Sequence, residues 1–82
     1  MKEDLFDQAQ LMILTDNYTE AKKILERLYK ENPTDIEIIY HLALVKEILN
    51  EKEEAKTLYK KIIEIIPEHK EAKERLKKLE EE

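Results

Sequence analysis

Glu37 and His41 stand four residues apart, a spacing that sets an acid and an imidazole on one face of a helix. Such a pair could ligate a divalent metal or move a proton, but two ligands are too few for a metal site. The second histidine, His69, falls near the start of a later helix, and nothing in its local spacing brings it to the first pair. Elsewhere no nucleophile stands with a base and an orienting group, the convergence that catalysis needs. With no cysteine and no glycine in the chain, disulfides, thiolate metal sites, iron-sulfur clusters, cysteine nucleophiles and glycine-rich phosphate loops are all excluded. The sequence therefore predicts no catalysis, no cofactor and no metal.

The other charged residues read as surface. Fifteen basic residues against 20 acidic ones give a net charge of -5, the wrong sign for a protein that gains affinity by neutralising phosphates. Lys22, Lys23, Arg27, Lys56, Lys60 and Lys61 form a basic stripe, but Glu20, Glu26 and Glu64 interrupt it, so nucleic acid is not expected as a partner. Glu26 and Lys30, Glu71 and Arg75, and Glu74 and Lys78 have the acid-before-base order, four apart, that supports a solvated helix. No run approaches the roughly 18 apolar residues of a membrane span, and the opening MKEDLFDQAQ has no apolar signal segment. A soluble, cytoplasmic protein without membrane contact is the expectation. At 43% charged and 41% hydrophobic, rich in Glu, Lys, Leu, Ile and Ala, the composition is that of folded helices.

Helices must then position these side chains, and the prolines show how. Pro33 and Pro67 are 34 residues apart, and at that offset Glu3 matches Glu37, Ala9 matches Ala43, and Glu20-Ala21-Lys22 matches Glu54-Ala55-Lys56. Apolar residues fall at helical spacings in two stripes per repeat: Leu5, Ala9, Met12 then Tyr18, Ala21, Leu25, Leu28; and Ile39, Ala43 then Ala55, Tyr59, Ile62, Ile66. Asp16-Asn17 and Asn50-Glu51 divide the stripes, with asparagine suited to the left-handed conformation that ends a helix. Asn32-Pro33-Thr34-Asp35 ends one hairpin and offers Thr34 or Asp35 as the next cap, and Pro67-Glu68 repeats the device. Helices are predicted over about 3–15, 18–31, 35–49, 52–65 and 68–80, an all-α chain of hairpins. Tyr18 and Tyr59 take packing positions, their hydroxyls reaching the rim.

This 34-residue helix-turn-helix pattern resembles the tetratricopeptide repeat along the whole chain. Ile39, Leu42, Ala43, Ala55, Tyr59, Ile62 and Pro67 fit its signature in the second repeat, and Leu5, Ala9, Met12, Ala21, Leu25, Leu28 and Pro33 in the first. Lys46 departs where the family prefers tyrosine, and so does Gln8. The resemblance implies a five-helix antiparallel solenoid with a right-handed superhelix, one domain over 1–82, divided into repeats at 2–35 and 36–69 and a capping helix at 70–82. In such stacks each first helix also packs on the preceding repeat. That second stripe is Ile38, Leu42, Val45, Leu49 in the second repeat and Ala72, Leu76, Leu79 in the last helix. It becomes Asp4, Gln8, Leu11, Thr15 in the first, while Lys73, Lys77 and Glu80 face outward at the other end, so both ends are expected to be polar and the array to begin and end here.

The resemblance further implies a ligand groove on the first helices, lined here by Glu3, Phe6, Asp7, Gln10, Ile13, Leu14, by Glu37, Tyr40, His41, Leu44, Glu47, Ile48, and by Glu71, Glu74, Arg75, Lys78. The partner-binding residues expected from it are Phe6, Gln10, Ile13, Tyr40, His41, Leu44 and Arg75. Phe6, Ile13, Tyr40 and Leu44 belong to neither packing stripe, so they either form an interaction patch or pack at the core's edge. A patch would take a protein or peptide segment with apolar anchors, or a second copy of the chain as a homodimer. Carboxyl-terminal peptide capture, known in the family, is disfavoured: Phe6 and Glu71 stand where lysines would, Gln10 and His41 where asparagines would, and only Arg75 matches. The composition fits a thermophile's protein or an engineered scaffold with no natural ligand equally well.

Overall fold

A computed structural model describes residues 2–82, with side chains from Asp4 onward, so the side chain of Glu3, assigned to the groove, lies outside what is described, as does the whole of Met1. Its helices are α1 (Lys2–Leu14), α2 (Tyr18–Glu31), α3 (Ile36–Ile48), α4 (Lys52–Ile65) and α5 (Lys70–Glu80). Helices adjacent in the chain pack on each other, α1 on α2 through to α4 on α5. The result is a short stack, 33 × 24 × 17 Å.

Both turns inside the hairpins have one solution. The Asp16 N–H donates to Ile13 O (3.1 Å) and Asn17 N–H to Met12 O (2.7 Å); 34 residues on, Asn50 N–H donates to Glu47 O (2.9 Å) and Glu51 N–H to Lys46 O (2.7 Å). This paired closure requires a left-handed residue, which is usually glycine. Here Asp16 (φ 62°) and Asn50 (φ 64°) supply it, so in the first turn the aspartate takes the role rather than Asn17. The Asp16 carboxylate also accepts the Tyr18 hydroxyl at 2.8 Å, and this bond lifts the phenol above its ordinary value.

The junctions between hairpins also repeat. Asp35 N–H donates to Asn32 O (3.2 Å) across Pro33-Thr34, and His69 N–H to Ile66 O (3.0 Å) across Pro67-Glu68. Asp35 then caps α3 by accepting Ile38 N–H, and His69 caps α5 by accepting Ala72 N–H at Nδ1, 3.1 Å. The last helix thus starts at Lys70 rather than 68, because Pro67-Glu68 form the middle of the turn. With Nδ1 accepting, the ring's donor is Nε2.

Burial follows the two stripes except at Ile66, which caps the end of α4 and is 40% exposed. Ile38, Leu42 and Val45 are buried along with Ile39 and Ala43, so α3 is covered on two sides. Asp4, Gln8 and Leu11 of α1 and Thr15 just after it are exposed, as are Lys73, Lys77 and Glu80 of α5, whereas Ala72 and Leu79 are buried. One charge sits among the buried positions of α3. Lys46 is 9% exposed, and its Nζ lies 3.2 Å from Glu26, 3.5 Å from Glu51 and 3.8 Å from Glu54. Lys22 adds a 2.7 Å bond to Glu51, whose carboxyl it holds below the ordinary glutamate range. Glu26 therefore turns to Lys46 on the next hairpin, not to Lys30 on its own helix.

The left-handed turns give the first test. Asn50→Ala should lower the unfolding free energy by about 1 kcal/mol, since a Cβ without a local acceptor disfavours this conformation, whereas Asn50→Gly should match or exceed the parent. In thermal melts the alanine variant's midpoint should fall by roughly 4–8 °C. Equal midpoints for Ala and Gly would contradict the account of this turn.

Candidate partner-binding groove

The first helix of each hairpin contributes to one face, and side-chain contacts tie these helices together. The Phe6 ring of α1 meets His41 of α3 edge to face, with centroids 5.1 Å apart. Glu47 of α3 receives the guanidinium of Arg75 from α5 as a fork, Nε to Oε1 at 2.7 Å and Nη2 to Oε2 at 2.8 Å. Glu47 Oε1 also accepts the Tyr59 hydroxyl from α4 at 2.6 Å. Tyr59 is wholly buried, so its hydroxyl ends on this carboxylate inside the stack and does not reach the rim. Three helices therefore converge on one carboxylate.

The charge states follow from those bonds. Arg75 first, and Tyr59 after it, hold the Glu47 carboxyl below the ordinary glutamate value, against the opposing effect of burial. Burial, then the Glu47 bond, pushes the Tyr59 phenol far up, and the Glu47 bond raises Arg75 further still. All three keep their ordinary charges at neutral pH.

Phe6, Gln10, Ile13, Tyr40, His41, Leu44 and Arg75 are all half-buried. Two shallow cavities take in Gln10, Ile13, Tyr40 and His41, while Phe6, Leu44 and Arg75 line neither. One, of about 340 Å³, is lined by Gln10, Ile13, Leu14 and His41. The other, of about 380 Å³, is lined by Ile36, Glu37, Tyr40, His41, His69 and Glu71. His41 is the wall they share. Its Nδ1–H donates to Glu37 O at 2.8 Å, which leaves Nε2 as the acceptor of the neutral ring. His69, which sequence spacing left apart, stands beside Tyr40 with ring centroids 5.7 Å apart and shares a cavity with His41. Among the described residues, no group of three or more acids and histidines is arranged to hold a metal ion.

Phe6, Ile13 and Tyr40 pack partly against the core, so they are its edge as well as the groove's wall. Beyond them Leu14 is 80% exposed and Ile48 is 51% exposed, equivalent positions 34 residues apart at the ends of α1 and α3. The Arg75 fork is turned to Glu47. That role was invisible in sequence, where the two residues stand 28 apart and Glu71, four before Arg75, is the obvious partner.

On the opposite side four of the six bases of the stripe are paired with acids. Lys22 meets Glu51, Lys23 meets Glu20, Arg27 meets Glu31, and Lys56 meets Glu53. Lys61 donates to the Tyr29 hydroxyl at 2.9 Å. A phosphate backbone would have to displace these partners, and the chain's net charge opposes its approach. No helix among the described residues is long and apolar enough to cross a membrane.

Comparison with known proteins gives two findings. The tetratricopeptide repeat model matches residues 12–79. The TPR repeat-containing protein MJ0263 of Methanocaldococcus jannaschii is 37% identical over 57 residues, 70% of this chain but 18% of that protein, so the chain spans less than a fifth of that relative's length.

The three-helix junction makes a signed prediction. A carboxyl held below its ordinary value of 4.5 stabilises the fold above that pH, and the contribution is lost as pH falls through the lower folded value. Glu47→Gln should cost about 1–2 kcal/mol at pH 7, where hydrogen bonds to a charge are lost in a half-solvated setting. Denaturant titrations should show the gap to wild type narrowing below pH 4.5, with Glu51 adding an acid-sensitive contribution common to both proteins. A gap that stays constant to pH 3 would refute the assignment.

Proposed function

Because the chain belongs to the tetratricopeptide repeat family, a protein-protein interaction repeat, we propose that it is a non-enzymatic module that docks a partner protein's segment in the groove of α1, α3 and α5. The observation that carries this is the pair Leu14 and Ile48, large apolar side chains left exposed at the same place in successive hairpins, beside half-buried Phe6, Ile13, Tyr40 and Leu44. Scattered apolar exposure is ordinary, but a row that recurs with the repeat and borders two cavities offers anchoring sites at fixed separation. The mechanism is burial of apolar side chains on a face already ordered by the Glu47 junction. Ordering such a face in advance reduces the entropy that binding must overcome.

The division into repeats at 2–35 and 36–69 and a helix at 70–82 belongs to the same proposal, as does a cytoplasmic setting for a chain without cysteine. A second copy as the occupant, or a scaffold with no ligand, is the competing reading.

Leu14→Gln with Ile48→Gln should leave stability within about 0.5 kcal/mol, since both side chains are largely exposed. Peptides selected on the parent protein from a random displayed library should carry apolar anchors and bind this variant at least tenfold more weakly. Sedimentation should show a monomer at all concentrations. A dimer that the double substitution dissolves would instead assign the groove to a second copy, and peptides that bind parent and variant equally would remove the groove from the reaction.

A further inference from the structure

The groove's charge is uneven, and its unevenness selects a partner chemistry. Asp7, Glu37, Glu71 and Glu74 are exposed on the first helices, Glu47 and Arg75 neutralise each other, and Lys78 is the remaining base. Glu37 has no ion-pair partner among the described residues. Glu71 lies 3.7 Å from His69 Nδ1, but that nitrogen accepts the Ala72 amide, so no proton there answers the carboxylate. Between the two acids the cavity is aromatic: Tyr40 stands edge-on to His41 at 6.2 Å and tilted against His69 at 5.7 Å. Each ring has its Nδ1 engaged by the backbone, His41 donating to Glu37 O and His69 accepting from Ala72 N–H, so neither Nδ1 is turned to the two carboxylates.

We propose that this cavity receives a basic side chain, arginine above all, of the docked segment, with the apolar anchor seated next to it across His41 in the cavity of Gln10, Ile13 and Leu14. The inference rests on the groove reading and adds the sign and position of the partner's charge. Aromatic faces accept a guanidinium plane, and flanking carboxylates take its hydrogen bonds. Ile36 gives the stem an apolar wall. A partner with acidic residues at this position meets Glu37 and Glu71 and is rejected, which is also why a free carboxyl terminus does not suit this groove.

Titrating isotope-labelled protein with N-acetyl-arginine amide and, separately, N-acetyl-leucine amide distinguishes the two levels of the argument. Arginine amide should shift the backbone signals of Glu37, Tyr40, His41 and Glu71 saturably, and Glu37→Gln with Glu71→Gln should weaken that binding at least threefold without altering the melting curve. Leucine amide should shift Gln10, Ile13 and Leu14 in both proteins. Arginine amide that leaves the Tyr40 cavity unshifted, or binds parent and variant alike, overturns the inference, while the leucine result still supports the groove. Leucine amide without effect at Ile13 and Leu14 would remove the groove reading itself.

Discussion

A helix that must be covered on two sides governs this molecule. α3 buries Ile39 and Ala43 as well as Ile38, Leu42 and Val45, and each large apolar side chain removed from water contributes roughly 1.5–3 kcal/mol. In a chain of 82 residues that is a large share of what opposes the ordering entropy. α1 and α5 cannot reproduce that burial, because each has a hairpin neighbour on one side alone among the described helices. Their outer residues, Asp4 and Gln8 at one end and Lys73 and Lys77 at the other, are solvated in consequence. The polarity of the ends and the apolar character of the middle are two results of one stacking geometry.

Lys46 shows what that geometry demands of an exception. Its ammonium stands among buried positions, and isolated there it would be prohibitively desolvated. Glu26 from α2, Glu51 from the turn and Glu54 from α4 surround it, so the charge is met by both hairpins at once. Glu51 Oε1 is shut off from water without a hydrogen bond, held by the Lys46 charge 3.5 Å away. An apolar residue would fill the same space at lower risk. The network's distinct property is that it forms only when the two hairpins are in register, and in that sense it specifies the stack more than it strengthens it.

The period made most of the fold legible. Thirty-four-residue matching located every helix, the two stripes and the solvated ends, since those depend on residue type at fixed intervals. It failed where a contact joins positions unrelated by the period or by a helical turn. Tyr59 and Arg75 lie 12 and 28 residues from Glu47 along the chain, and only the packing of α3, α4 and α5 unites the three. His69 was correctly put near a helix start but not beside His41: it caps α5 through its Nδ1, at the position equivalent to Asp35, and there its ring stands against Tyr40. Half-burial of the groove's aromatic residues was equally hidden, because it depends on how far neighbouring helices overhang them.

The Glu47 junction also explains why resemblance to a carboxylate-binding groove does not extend to its chemistry. Arg75 is the single residue that matches that clamp, and its fork already has a carboxylate, supplied from within and further fixed by the Tyr59 hydroxyl. A ligand carboxylate would have to displace Glu47 and leave a half-buried acid without its cation, an exchange with no net gain in paired charge. Lys22 and Arg27 on α2 and Lys56 on α4 have acidic partners in the same way, whereas Glu37 and Asp7 have no ion-pair partner among the described residues. At physiological salt, fields decay over about 8 Å, so a segment that enters the groove experiences its local sign more than the average of the whole surface.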